Sequence, residues 1–211
     1  MIKKLVLVVA ALAVMSVNAD LVTVDIESIT EGTYSTIDGI GASFAQAFEG
    51  QTVSGSDLIG VPTSLTLDMD AGEGLVVDYW GSSNSILPRI NNQGPLVMLL
   101  DDEADMLSWR MGFADNPGEE IYFDFYTADG VFIEQKQVAL INDYNDYYLT
   151  LSSAFQGVAI HHNTDAAGLR FQNFSYNTVP TGPVSSVPEP SVVVLMGISL
   201  LSMAGFYRRK K

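Results

Sequence analysis

From Asp20 to Tyr176 apolar side chains recur at every second position, not at the three- and four-residue spacing of a helix. In the run Glu120 to Tyr126, Ile121, Phe123 and Phe125 fall on one face, with Tyr122, Asp124 and Tyr126 on the other. Ser64 to Asp70 sets Leu65, Leu67 and Met69 against Thr66, Asp68 and Asp70. Asp146 to Ser152 alternates less cleanly, with Tyr148 and Thr150 against Tyr147, Leu149 and Leu151, and Gly168 to Tyr176 sets Leu169, Phe171 and Asn173 against Arg170, Gln172, Phe174 and Tyr176. Turn formers separate the runs: Asp38-Gly39, Ala71-Gly72-Glu73-Gly74, Asn116-Pro117-Gly118 and Asp129-Gly130. Asp129-Gly130, between two aromatic-rich runs, predicts a hairpin. Met98 to Trp109 is ambiguous, with a turn expected around Asp101-Asp102-Glu103. The spacing predicts an all-β body of roughly ten to twelve short antiparallel strands, a sandwich or barrel.

The ends have a different character. Residues 1–19 carry Lys3 and Lys4, an apolar stretch from Leu5 to Val14, and small residues at Val17 and Ala19. This is the layout of a signal peptide cleaved between Ala19 and Asp20, with signal peptidase as the implied partner. At the other end Ser191 to Tyr207 has no charge and is close to the shortest length that spans a bilayer. Arg208, Arg209, Lys210 and Lys211 follow and act as a stop-transfer cluster on the cytoplasmic side. Residues 177–186, rich in Thr, Pro, Ser and Val, read as an extended linker. The expected organisation is 1–19 signal peptide, 20–176 β-sandwich domain, 177–186 linker and 187–211 sorting and anchor segment. A plain permanent tail anchor is the simpler alternative for the last part.

Pro188, Glu189 and Pro190, then a short apolar helix with Gly197 and Gly205, then the terminal Arg-Lys cluster, resemble the PEP-CTERM sorting signal. The resemblance implies a Gram-negative bacterium that makes extracellular polysaccharide. It also implies transient residence in the inner membrane, processing by an exosortase near the Pro-Glu-Pro element, and delivery of the body to the cell surface or matrix. The stretches 41–55, 85–105 and 168–177 resemble segments of the same broad group of surface proteins, whose bodies are β-rich. The closing Asn173-Phe174-Ser175-Tyr176 run is similar to that of carbohydrate-binding jelly rolls, which makes a jelly-roll-like sandwich the expected fold.

Charge excludes one class of partner. Six of the 10 basic residues lie in the terminal segments, leaving Arg89, Arg110, Lys136 and Arg170 between residues 20 and 187. Of 25 acidic residues only Glu189 lies outside that span, so 24 acids face four cations, a formal charge near −20. Such a body repels nucleic-acid phosphates and anionic lipid. There is no cysteine, which excludes disulfides, thiolate metal sites and a cysteine nucleophile.

Little in the body announces chemistry. There is no Gly-x-Ser-x-Gly elbow and no phosphate loop. The only histidines are His161 and His162; as strand neighbours they point to opposite faces, one expected toward the core and one toward solvent. Asp68 with Asp70, or Glu120 with Asp124, share a strand face, as solvated positions or as the carboxylate pair a glycosidase needs. Asp101, Asp102, Glu103 and Asp105 form the densest acidic run, either a solvated loop or ligands for calcium, the one cofactor considered. Trp80, beside Gly81-Ser82-Ser83-Asn84, is the candidate ligand-binding ring; Tyr144, Tyr147 and Tyr148 form a second aromatic group. Core packing is the competing role for both groups. The expected function is that of a non-enzymatic surface or matrix protein associated with extracellular polysaccharide. The alternatives are a carbohydrate-binding module, calcium-stabilised or not, and a glycan hydrolase.

Overall fold

Phe123 and Trp109 lie 4.5 Å apart between ring centroids, yet belong to strands that are not neighbours. The contact exists because one large antiparallel sheet folds back on itself. The computed structural model describes residues 19–80, 83–88, 94–112, 120–139, 143–162 and 169–179. The terminal segments, and with them the Pro188 to Pro190 element and the Arg208 to Lys211 cluster, lie outside the described residues. No described helix is long and apolar enough to cross a membrane.

The described residues form twelve strands: β1 (Leu21–Thr23), β2 (Gly32–Tyr34), β3 (Ala42–Ala45), β4 (Thr52–Ser54), β5 (Asp57–Ile59), β6 (Leu75–Trp80), β7 (Ser83–Pro88), β8 (Leu96–Gly112), β9 (Glu120–Tyr126), β10 (Phe132–Ala139), β11 (Asn145–His161) and β12 (Arg170–Thr178). Ten join one antiparallel sheet; β4 and β5 form a separate hairpin. Asp129-Gly130 makes the expected turn between β9 and β10, with Gly130 at φ 77°.

β8 and β11, 17 residues each, make the fold-back. Their ladder is regular from Asn145↔Met111 to Thr150↔Met106, slips at Phe155↔Ala104, and resumes at Gly157↔Leu99. Each strand therefore serves two layers. The first halves of β8 and second halves of β11 pair with β3 and β9, and β9 pairs with β10. The remaining halves pair with each other and, through β8, with β12, followed by β7, β6 and β2; β1 pairs with the end of β12. The layers meet face to face: Phe44 of β3 packs on Phe174 of β12 at 5.4 Å, and Trp109 on Phe123.

The expected turn at Asp101-Asp102-Glu103 is corrected to a continuous strand across this bend. The expected strand Ser64 to Asp70 is also corrected. It forms only an isolated bridge, Phe48↔Leu67, and Met69 is exposed. Gly72 and Gly74 at positive φ and the turn at Asp68 break the run before it can pair. In β12 the register shifts between Gln172 and Ser175, with Asn173 at φ 52°. This bulge puts Phe171, Phe174 and Tyr176 all in the core and leaves Asn173 exposed, against the strict alternation expected. Finally, β12 runs on to Thr178, and the Val179 N–H donates to the Glu103 carbonyl at 2.7 Å, so the body extends past residue 176.

Candidate functional site

The outer face of the β6-β7-β12-β8-β11 layer gathers the residues best suited to holding a polar ligand. Two cross-strand rows follow from the registers. Asp78 stands opposite Ser85, Gln172 opposite Arg110, and Arg110 opposite Asp146, with Phe171↔Ile86 joining the two halves. In the next row Trp80 stands opposite Ser83, Ser175 opposite Ser108, and Ser108 opposite Tyr148. Trp80 and Tyr148 thus stand on the two outer strands of this face, β6 and β11, four interstrand spacings or about 19 Å apart. Trp80 is 42% exposed and Tyr148 76%.

Trp80 is held rather than loose. The Arg170 guanidinium lies over its ring, 4.5 Å from the centroid, and is itself ion-paired with Asp78. Tyr144 borders the same pair. Burial pushes its phenol up, and a hydrogen bond to Ser85 with the charges of Arg170 and Arg110 offsets only part of this. Arg110 sits beside the Tyr144 ring at 5.6 Å. Gly112 makes room for that ring: a Cβ there would fall 2.7 Å from Tyr144 Cγ. Beneath, the Gln172 amide donates to Ser85 Oγ at 2.8 Å, and Ser108 Oγ meets Ser175 Oγ at 2.7 Å. The arrangement is an open face with an exposed aromatic ring on each of its outer strands and hydroxyls between them.

Trp80, the expected ligand-binding ring, lies partly exposed at the end of β6. The tyrosine group is split by strand alternation. Tyr148 faces out, while Tyr147 stacks on Trp109 at 5.6 Å and 12°. Arg170, Asp78 and Arg110 were not anticipated as part of the site. Their signal was scarcity: in a body with four cations, two lie on this one face.

The acidic run is placed differently from expectation. Asp101 and Asp102 are exposed and Glu103 and Asp105 half-buried along β8. Strand alternation sends neighbours to opposite faces and sets same-face residues about 6.7 Å apart, too far to share one ion without a loop. Among the described residues no group of three His, Asp or Glu side chains could hold a metal. Asp68 and Asp70 belong to a local turn, Asp70 N–H donating to Asp68 Oδ1 at 3.0 Å. Ala19 and Asp20 are exposed. Asp20 N–H donates to Thr178 Oγ1 at 3.1 Å, so the first and last residues of the body lie side by side.

The histidine expectation is also corrected: both His161 and His162 are buried. The β4-β5 segment covers the outer face of the other layer, where Phe48, Leu58, Leu65 and Leu67 pack on Ala45, Val97, Leu99, Tyr126 and Ala159. Under this cover His161 Nδ1 lies 2.7 Å from Asp57 Oδ1 of β5, and Nε2 3.1 Å from Asp124 Oδ2 of β9. Asp124 also accepts from the Gln135 amide at 2.8 Å. Burial pulls the His161 pKa down, but the hydrogen bonds and charges of Asp124 and then Asp57 outweigh it, and the net direction is up. A cleft of about 330 Å³ lined by Gly60, Val61, Asp124, Tyr126, Phe132 and Gln135 adjoins the site. Of the carboxylate pair Glu120 and Asp124, Glu120 is exposed at the start of β9, whereas Asp124 is engaged with His161 and Gln135.

No family model matches the chain, and no curated protein matches it. Among solved structures, a variant family 29 carbohydrate-binding module complexed with cellulohexaose is 12% identical, with TM-score 0.42, covering 77% of this chain and 93% of that one. A carbohydrate-binding module of family 29 is 11% identical, with TM-score 0.42, covering 77% and 90%. A second variant, complexed with mannohexaose, is 12% identical, with TM-score 0.41, covering 77% and 94%.

Proposed function

We propose that the body is a carbohydrate-binding β-sandwich of an exported surface protein, and that it holds a polysaccharide chain on the open face between Trp80 and Tyr148. The observation that carries this reading is the pair of exposed rings on the outer strands of one face, with serines between them and Trp80 fixed by Arg170 and Asp78. Pyranose rings offer apolar C–H faces that stack on aromatic rings and hydroxyls that bond to side chains such as Ser, Gln, Asp and Arg. An uncharged chain also suffers no repulsion from an acidic surface. A jelly-roll arrangement of the sandwich belongs to this reading. Sites for small molecules are usually deep, whereas a shallow open face suits an extended chain, which can enter and leave sideways.

The test is binding of the purified protein to immobilised glycans, including polysaccharide from its host. Saturable binding is expected, weakened at least about tenfold, or 1.4 kcal/mol, by Trp80→Ala. Tyr148→Ala should weaken it by a smaller factor, and an outward change elsewhere, such as Glu134→Gln, should leave it unchanged. Binding to no glycan, or binding indifferent to Trp80, overturns the reading.

Delivery is the second half of the proposal. The body is released by signal peptidase after Ala19, held in the inner membrane by residues 191–211, and sorted by an exosortase at Pro188, Glu189 and Pro190. In support, β1 starts at Leu21, directly after the expected cleavage bond. Intact mass by cell fraction tests it. A species beginning at Asp20 and ending near Pro190, outside the inner membrane, is expected. A species retaining residues 191–211 in the inner membrane would instead establish a permanent anchor.

A further inference from the structure

We propose that the β4-β5 hairpin is a proton-dependent cover: imidazolium His161 ties Asp57 of the hairpin to Asp124 of the sheet, and loss of its proton frees the hairpin. The geometry requires the charge. Each ring nitrogen faces a carboxylate oxygen, at 2.7 Å and 3.1 Å. Carboxylates only accept hydrogen bonds, and a neutral imidazole donates from one nitrogen alone. On deprotonation one of the two contacts sets a lone pair against a carboxylate. Asp57 is the partner that yields. Its side chain is 39% exposed against 17% for Asp124, so water can replace the imidazole, and Asp124 keeps its bond from Gln135.

The groups facing His161 make the switch one-sided. β5 contributes Asp57; β9 contributes Asp124 and the Tyr122 ring at 5.7 Å; β10 contributes Gln135 through Asp124. No cation among these groups compensates the two carboxylates once the imidazole is neutral. The hairpin is also held by Leu58 in the small apolar patch and by the His162 N–H bond to the Ser56 carbonyl at 3.2 Å. Leu65 completes that patch by sitting over Gly157, where a Cβ would fall 2.6 Å from its methyl.

The sign follows from linkage. Because the folded pKa of His161 is raised, the contribution of the latch is fully present below the ordinary histidine value. It is lost as pH rises through the folded value. Within that window opening releases one proton, so the opening equilibrium rises up to about tenfold per pH unit and then levels off.

Amide hydrogen exchange on the purified full chain, at a series of pH values and corrected for intrinsic exchange, reads this directly. Amides of Val53 to Ile59 are expected to follow that curve, while those of β8 and β12 stay protected throughout. His161→Gln should open the hairpin at every pH and abolish the slope. Should that variant not fold, Asp57→Asn, at the more exposed end of the latch, carries the same test: its slope should vanish with the sheet intact. A wild-type hairpin whose opening does not change with pH, or an Asp57→Asn variant with the wild-type slope, overturns the proposal.

Discussion

Trp109→Ala is expected to lower unfolding stability by about 3–5 kcal/mol, the largest loss from any single side chain in this fold. Trp109 projects from β8 between the two layers and is 2% exposed. It touches Phe123 across the gap and stacks on Tyr147 of the neighbouring strand. The loops and β9 on one side, and β11 on the other, cannot collapse into the space it leaves, because β8 and β11 are pinned by ladders in both layers. Trp109→Phe is expected to cost much less, under about 1.5 kcal/mol, since it keeps most of the volume. The indole N–H is buried without a hydrogen-bond partner, so losing it removes a desolvated donor rather than a bond. Denaturant midpoints of the two variants check both numbers. An alanine variant within about 1 kcal/mol of wild type would mean that the layers are not packed through this ring.

Gly112→Val is expected to cost about 2–4 kcal/mol and to weaken glycan binding at the same time. Gly112 has no Cβ because the Tyr144 ring occupies that space. An added carbon would lie 2.7 Å from Cγ, 2.8 Å from Cδ1 and 2.9 Å from the backbone Cα of Tyr144. The last contact is with main chain, so the ring cannot simply rotate away. The segment at Tyr144 must lift, which withdraws the ring from Arg110 and from the Asp78–Arg170 pair that holds Trp80. Gly112→Ala should show the same pattern in milder form. Thermal melting gives the stability loss, and the glycan assay gives the coupled binding loss. A Gly112→Val protein with wild-type stability would contradict the placement of Tyr144.

Period two was enough to find an all-β body; it located β9 and its facing, and Asp129-Gly130 located the turn into β10, because a hairpin is a local object. Where the account needed distant partners, the sequence was silent. Arg170 reaches Trp80 across some ninety positions, and Asp57 reaches His161 across more than a hundred. No local pattern encodes either meeting. The bulge at Asn173 was hidden because one inserted residue reverses the alternation after it, and Phe174 then appeared to face away from Phe171. His162 was assigned to solvent, or His161 was, on the assumption that a sheet has one wet face. The β4-β5 segment covers that face, so both are buried. The acidic run around Asp102 looked like a loop because four acidic residues, Asp101, Asp102, Glu103 and Asp105, interrupt an apolar stretch; it is the place where β8 bends between layers, and the exposed side of a bend tolerates charge. The expected sorting signals at the two ends rest on order and composition rather than on packing, and nearly all of their residues lie outside the described ones.

The most direct test of the binding face uses the fact that the chain has two tryptophans, one on that exposed face and one in the core. In an indole N–H spectrum of ¹⁵N-labelled protein they give two signals, assigned by Trp80→Phe. On titration with the host's extracellular polysaccharide, the Trp80 signal should shift and saturate while the Trp109 signal stays in place. A Trp80 signal that does not move while the polysaccharide is bound would place the ligand elsewhere, and one that does not move because nothing binds would remove glycan binding as the function of this body.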